Sequence, residues 1–533
     1  MLQQATMLAP LETSRHDDPR VVHEQSREDY SLHAAPLTSR VPKKSLTMSW
    51  YALVSGMFYL VTAAVLAAVV GTVDTIIGIV LACVAFGVLG TIFSRYAAKT
   101  GLTVSLISQR LFGATGSLLA PIILAATAIF YAVFESSMIA HAFQASFGWF
   151  DIRIWYAIAV AMNLPLVMGG VRRWMDKYNA ILLPVYGLGL LAVVVISAMN
   201  ADHSGWISQG ANPEAAVAAP GWLYAFFVYL GVLVLMMFTV DYGRLSRPED
   251  AQRNGITIFG PVFYVFVYLA NGLLGIFIAY AAGFDAAVSS TAIAEYFVGL
   301  LGGWGLLLVW VTQARINSAN FYVASTNLEA VWVRLFRRKL SRVVAVLITG
   351  AITYLLMLTD LINSLLIALS WQGAFISAWV GVLLVHIIRF PHGDNRGMPE
   401  FRIGRMSAFT LGAGAWLGAA LAGALFFQFG GAIGGAWSTP ATLMFAAVLY
   451  AVATNVSPES GFLRRRSNLW DEVDDLWEVR VRCHRCDRSY VALEMDRDPS
   501  AEGSPAICIA CATTSPAYRA ACRAEHGAIV AGN

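Results

Sequence analysis

Long apolar runs dominate this chain. A helix needs roughly 20 mainly apolar residues to cross a bilayer. Runs of about that length lie near 48–70, 75–94, 118–144, 152–170, 178–199, 221–240, 256–282, 302–326, 342–359, 361–388, 405–428 and 437–456. In hydrocarbon a backbone must satisfy its own polar groups, so each run is expected to be a helix. Composition agrees. Of 533 residues, 58% are hydrophobic and only 13% charged, against about 25% charged in a soluble domain. The expectation is an all-α integral membrane protein of about twelve transmembrane helices over 48–456. The eighth run is the least regular, because its middle is polar.

The basic residues set an orientation. Alternate loops collect Arg40, Lys43 and Lys44; Arg95, Lys99 and Arg110; Arg172, Arg173 and Lys177; Arg244, Arg247 and Arg253; Arg334 through Arg342; Arg389 through Arg405; and Arg464, Arg465 and Arg466. The opposite side holds Arg153 alone. By the positive-inside rule both termini are expected in the cytoplasm of a multi-pass plasma-membrane protein. Residues 1–47 are polar, with charges of both signs and His16, His23 and His33, and no export signal is legible in them. They are expected to form a disordered cytoplasmic tail. Residues 457–533 are polar again and form a second cytoplasmic tail.

Polar side chains in hydrocarbon are costly, and their usual reason is function. The third run reads AATAIFYAVFESSMIAHAF. Tyr131 and Glu135 stand four apart and share a helix face. A ring beside a carboxylate suits a flat heterocycle, which stacks on one and donates N–H to the other. The same carboxylate suits a coupling proton, or a structural pairing with a neighbouring helix. His141 reads as a packing residue. The eighth run contains Gln313, Arg315, Asn317, Ser318 and Asn320. Asn317 and Asn320 share a face, and amides both donate and accept, as the edge of a nucleobase requires. The competing reading ends the span near Ala314 and leaves an amphipathic segment beyond it. Gly56 in the first run and Gly231 in the sixth mark places for broken helices. Such breaks in corresponding halves point to a midplane site. Phe226, Phe227 and Tyr229 of the sixth run read as packing residues.

Three segments resemble one family. RYAAKTGLTVSLISQRLFGATGS is similar to the connection between the second and third spans of the nucleobase:cation symporters, which include purine, cytosine, hydantoin and allantoin permeases. TVDYGRLSRPEDA resembles their sixth-span exit, and INSANFYVASTNLEA their eighth span. The resemblance implies two inverted five-helix repeats with two further helices. It also implies a site between spans one, three, six and eight. Tyr131 matches a position where many relatives carry tryptophan, and Asn317 matches an eighth-span asparagine. Sodium-coupled relatives carry adjacent hydroxyl residues just before that asparagine, where Arg315 and Ile316 stand here. The guanidinium is then expected to occupy the sodium position as a built-in cation, with coupling to protons through Glu135, or absent. Arg315 and Glu135 pairing with each other is the alternative.

The carboxy-terminal tail holds five of the six cysteines. Cys483 and Cys486 form one C-x2-C pair, and Cys508 and Cys511 a second, with 21 residues between. This spacing predicts a structural Zn2+ site in a module over about 481–526. Cys522, His484 and His526 are alternative ligands. Four thiolates leave no open position for catalysis, so the module is expected to order the tail or dock a cytoplasmic protein.

Within the spans no nucleophile–base pair or metal cluster is legible, so an enzyme is not expected. Nor is a nucleic-acid partner. Two function classes follow. One is secondary transport of a nucleobase or related heterocycle, with H+ or Na+ as coupling ion. The other is a transporter-like receptor that signals through the cysteine module. The substrate-contacting set is expected to be Tyr131, Glu135, Asn317, Asn320, Gln313, Gly56 and Gly231, with Arg315 and Glu135 serving the ion.

Overall fold

The computed structural model describes residues 8–531, apart from 28, 169–175, 201–203, 216, 285–289, 339, 360–364 and 457–460. Arg172, Arg173 and Lys339, and the 456/457 boundary of the tail, therefore lie at or outside the edges of the described residues. Seven helices are long and apolar enough to cross a membrane, among them Thr72–Thr100, Leu119–Phe147 and Asp176–Asn200. Two bent pairs qualify together: Lys43–Ser55 with Met57–Val70, bent by 41°, and Gly221–Leu230 with Val234–Gly243, bent by 43°. Counting each pair once gives up to nine candidate spans among the described residues. The expected spans 152–170, 302–326 and 342–359 fall outside that nine. Two of them are the short helices Ile152–Met168 and Arg342–Met357. The third is the helix Gly303–Phe336.

That helix resolves an ambiguity of the sequence. It does not end near Ala314. It continues for 34 residues, and the polar run from Gln313 to Asn327 is buried along it. At 1.5 Å per residue it is about 51 Å long, well beyond a hydrocarbon core of about 30 Å. Its main neighbour is the helix Leu119–Phe147. Polar residues are tolerated at this depth because the neighbour supplies partners in place of lipid.

The two breaks fall at Gly56 and at Gly231–Leu233. A broken helix frees carbonyls, and other side chains take them up. Asn271 donates to the Val54 carbonyl at 2.6 Å, and the Tyr186 hydroxyl reaches it at 3.4 Å. Arg315 donates to the Tyr51 carbonyl at 3.1 Å. Outside the breaks, ordinary local rules hold. Gly101, with φ +67°, closes the helix Thr72–Thr100 in the left-handed conformation. Two residues later Thr103 caps the helix Val104–Gly116 by accepting from Leu106 N–H.

The amino-terminal segment differs from the disorder expected of it. Thr13–Ser14 forms a strand paired with Arg480–Arg482, which in turn pairs with Ser489–Val491. Pro19–Arg27 is helical. The physical reason is charge complementarity with the distant carboxy-terminal tail. Asp17 meets Arg480 at 2.7 Å, Glu12 meets Arg482 at 2.7 Å, and Glu24 meets Arg488. Polar composition forecasts disorder only when no partner surface exists. Here the partner lies more than 450 residues away in sequence. Both termini thus gather at one end of the helix bundle.

The three segments that carry the family resemblance also meet at that end. The buried Asp241 carboxylate, from TVDYGRLSRPEDA, accepts Val104 N–H at 2.9 Å and the Asn327 amide at 3.0 Å. Val104 begins a helix, where unpaired N–H groups favour an anion. One carboxylate therefore ties the sixth-span exit to the other two segments.

Candidate functional site

The two breaks face a common cavity. It is lined by Leu53, Phe58 and Tyr59 of the first broken helix and by Val232, Val234, Leu235 and Phe238 of the second. Tyr131 and Glu135 of the third span close one wall, and Ile316 and Asn320 of Gly303–Phe336 close another. Its free space is about 20 Å3, enough for a water molecule and not for a heterocycle. The aromatic edges fill the rest. Phe58 stands edge-on to Tyr131 at 5.6 Å between centroids, and Tyr59 packs on Tyr268 at 5.7 Å. A larger occupant requires these rings to turn.

Glu135 is the charged group of the cavity, and it is fully buried. Among the described residues neither carboxylate oxygen has a hydrogen bond of good geometry, although the Gln313 amide lies beside it. The nearby Gln313 amide donates to Met138 Sδ at 3.1 Å instead. An unpartnered buried carboxylate is costly, and here it is aimed into the cavity. Gly56 lets the backbone lie close beside it. A Cβ at that position would stand 2.4 Å from Ile316 Cδ1 and 3.5 Å from Glu135 Oε1.

Arg315 does not pair with Glu135. It lies on another face, fully buried, and donates to two carbonyls at 3.1 Å each: Tyr51 of the first broken helix and Asn179 of the helix Asp176–Asn200. Its guanidinium also lies 5.9 Å from the Tyr186 ring centroid. Tyr186 in turn donates to Asn271 Oδ1 at 2.8 Å. A cation thus sits between carbonyls at the helix break.

The sequence-selected residues divide into those on the cavity wall and those behind it. Tyr131, Glu135 and Asn320 line it. Asn317 lies one layer back, donating to Ser136 Oγ at 3.1 Å and accepting from Asn320 Nδ2 at 3.3 Å. Gln313 is behind the wall too, with Met57 N–H pointing at its Oε1 at 3.5 Å. Gly231 shapes the second break but is exposed on its far side, and its successors Val232 to Leu235 make the wall. Sequence reasoning missed Phe58, Tyr59 and Phe238. Their only signal was aromatic residues just past a glycine break, and aromatic residues are common in membrane helices. His141 packs against Tyr156.

The carboxy-terminal cysteines form a second centre. The Sγ atoms of Cys483, Cys486, Cys508 and Cys511 all lie within 4.8 Å of one another. Backbone N–H groups point at two of the sulfurs: Cys508 N–H at Cys483 Sγ, 3.3 Å, and Cys511 N–H at Cys508 Sγ, 3.5 Å. The other candidate ligands are engaged elsewhere. His484 meets Asp498 at 2.9 Å, His526 accepts from Arg464 N–H at 2.9 Å, and Cys522 accepts from Arg465 at 3.2 Å. The module seats on the bundle through Asp496. That carboxylate is shared by Arg405 at 2.9 Å, Arg465 at 3.1 Å and the Tyr518 hydroxyl at 2.8 Å.

Two discontinuous helices, a buried carboxylate between them and a polar helix alongside form the centre of the fold. Solved structures share it. The chain matches Mhp1, a nucleobase-cation-symport-1 family transporter, in a closed conformation with bromovinylhydantoin bound. The TM-score is 0.62 at 14% identity, over 80% of this chain and 95% of that one. An inward-facing conformation of Mhp1 matches with a TM-score of 0.61, also at 14% identity, over 80% of this chain and 93% of that one. A Na+-coupled sialic acid symporter matches with 0.53 at 12% identity, over 82% and 95%. At these identities the likeness establishes the fold. The chain has the Mhp1-like transporter fold. No family model and no curated protein matches the sequence.

Proposed function

We propose that this protein is a secondary transporter that imports a small nitrogen heterocycle of the nucleobase, allantoin or hydantoin class by alternating access. The observation that carries this reading is the cavity itself. Two helix breaks, aromatic edges from Phe58, Tyr59 and Tyr131, and the unbonded Glu135 carboxylate meet at one point. A flat ring with N–H donors satisfies both the aromatic surfaces and the carboxylate, and Asn320, backed by Asn317 and Gln313, reads its edge. Bound bromovinylhydantoin in a structure of the same fold is in keeping with that chemistry.

Arg315 acts as a permanent cation at the first break. The carbonyls it holds are the kind of ligand that a sodium ion takes. Coupling then falls to protons, with Glu135 as carrier. The spans number twelve, both termini are cytoplasmic, and the cell membrane is the location. The four cysteines of the tail hold Zn2+, for which a four-sulfur set suits a closed structural site.

Uptake of labelled uracil, cytosine, adenine, allantoin and hydantoin into proteoliposomes tests the reading, under an inward proton gradient, an inward sodium gradient, or neither. Accumulation driven by protons alone is expected. Accumulation that requires sodium overturns the role of Arg315. Binding without accumulation under every gradient replaces transport with a receptor, whose signal would leave through the module seated at Asp496. Metal analysis of the purified chain, expected to give one zinc per chain, tests the cysteine site.

A further inference from the structure

The segment just before the first broken helix is held at several points. In the Cys module, the buried Glu494 accepts Ala34 N–H at 2.5 Å on one oxygen and meets His33 Nδ1 at 2.8 Å with the other. Ala35 N–H donates to the Gly101 carbonyl at 2.9 Å. Arg40, itself buried, donates to the carbonyls of Ala98 at 3.0 Å, Ser246 at 2.8 Å and Arg244. Its guanidinium lies 5.7 Å from the Trp477 ring, just before the module. From the other side, Arg244 donates to the carbonyls of Asp29 at 2.6 Å and Tyr30 at 3.3 Å. Val41 N–H donates to the Leu245 carbonyl at 3.0 Å. Two residues later the half-helix Lys43–Ser55 begins.

Residues 29–41 are therefore a strap with three anchors. One is the module. The second is the exit of the second broken helix at Arg244–Ser246, together with the end of Thr72–Thr100. The third is covalent, the first half-helix. This arrangement bears on the cavity. Its wall on the tail side is made by Leu53 from the first half-helix and by Phe238 from Val234–Gly243. A path toward the tails opens only when those two half-helices part. The strap is continuous with one and bonded to the end of the other, so while seated it opposes their separation.

The cysteines decide whether the module can hold its end. Cys483 directly follows the strand Arg480–Arg482, which pairs with the tail strand Thr13–Ser14. Cys508 ends the strand Ala506–Cys508, which pairs with Met495–Arg497 directly after Glu494. Linking Cys483 and Cys486 to Cys508 and Cys511 ties together the two small sheets that present Glu494 and the tail. Sheets of two or three short strands are marginal alone, so a metal at the cysteines supplies much of their order.

We propose that the strap 29–41 and the Cys module form a metal-dependent latch that keeps the cytoplasmic mouth closed, and that loss of the metal releases it. This rests on the transporter and zinc readings above for the words mouth and metal. Hydrogen–deuterium exchange of the full-length protein, without substrate, tests it with zinc bound and after chelation. Chelation is expected to speed exchange at least tenfold in 481–514 and also in 29–55. Glu494→Ala, with zinc content confirmed, should speed 29–55 while leaving 481–514 protected. Arg244→Ala should do the same from the opposite anchor, which guards against a variant that merely damages the module. Faster exchange in 481–514 with 29–55 unchanged overturns the latch, as does unchanged exchange in both variants. A purified chain that carries no metal overturns the switch. Failure of the transport reading shows separately, as absent uptake in the liposome assay.

Discussion

Replacing Arg315 by serine should convert a built-in cation into a vacant one that sodium fills. The guanidinium makes two charge-assisted hydrogen bonds, each 3.1 Å, to the Tyr51 and Asn179 carbonyls in a fully buried setting. Leaving two buried acceptors without donors costs about 1–3 kcal/mol each, or about 2–6 kcal/mol together. Serine is too short to reach the two carbonyls itself, and the space left by the guanidinium, with a hydroxyl at its base, is expected to admit a sodium ion. Sodium binding then returns part of the loss by mass action. At ten times its dissociation constant it restores about 1.4 kcal/mol, and at a hundred times about 2.7 kcal/mol. The assay is thermal unfolding of purified Arg315→Ser in sodium chloride against choline chloride at equal ionic strength, with the wild type alongside. The variant is expected to melt lower than the wild type in choline and to recover several degrees in sodium. The wild type should show no difference between the two salts. Arg315→Met, of similar bulk but without an oxygen, should melt low in both. A wild type stabilised by sodium refutes the reasoning, because the ion would then occupy another place. A serine variant indifferent to sodium refutes it too, because the two carbonyls would not form a cation site.

Other perturbations probe the remaining parts. Glu135→Gln keeps the shape of the cavity wall and removes its charge. Proton-driven accumulation in liposomes should fall by at least tenfold while exchange of labelled for unlabelled substrate persists, and loss of both would assign Glu135 to binding alone. Gly275→Ala places a Cβ 2.2 Å from the Leu60 carbonyl oxygen. Backbone cannot yield as a side chain does, so a loss of about 1–3 kcal/mol or more is expected in a melting assay. Asp496 governs seating of the module. Burial opposes its ionisation, but Arg405, Arg402 and Arg465 outweigh burial and hold the carboxyl well below its ordinary value of 3.8. A depressed folded value means that its stabilisation is fully present above about pH 4 and is lost as pH falls through the folded value. Protease protection of the tail should therefore be flat from neutral pH to about 4 and then decline. Asp496→Asn should lose about 3 kcal/mol of that protection at neutral pH, since Arg405 loses its carboxylate while Arg402 keeps Glu400 and Arg465 keeps Glu525.

The parts legible in the sequence were those written locally. Apolar run length marked most of the spans, glycine marked both breaks, and a four-residue spacing put Tyr131 and Glu135 on one face of one helix. Two C-x2-C pairs marked the sulfur cluster, and the structure brings all four together. The parts that stayed hidden depend on residues far apart in the chain. Nothing local distinguishes the Tyr51 and Asn179 carbonyls that receive Arg315, because every residue has a carbonyl. What makes these two special is that a helix break and a neighbouring helix bring them to one guanidinium. Phe58 and Phe238 are ordinary apolar residues until the breaks turn them toward a common point. The amino-terminal tail is the sharpest case. Its polar composition reads as disorder, yet its acidic residues Glu12, Asp17 and Glu24 meet Arg482, Arg480 and Arg488. A polar tail at one end of a chain should therefore be compared with the polar tail at the other end before either is read as unstructured, because individual charges in one can find their partners in the other.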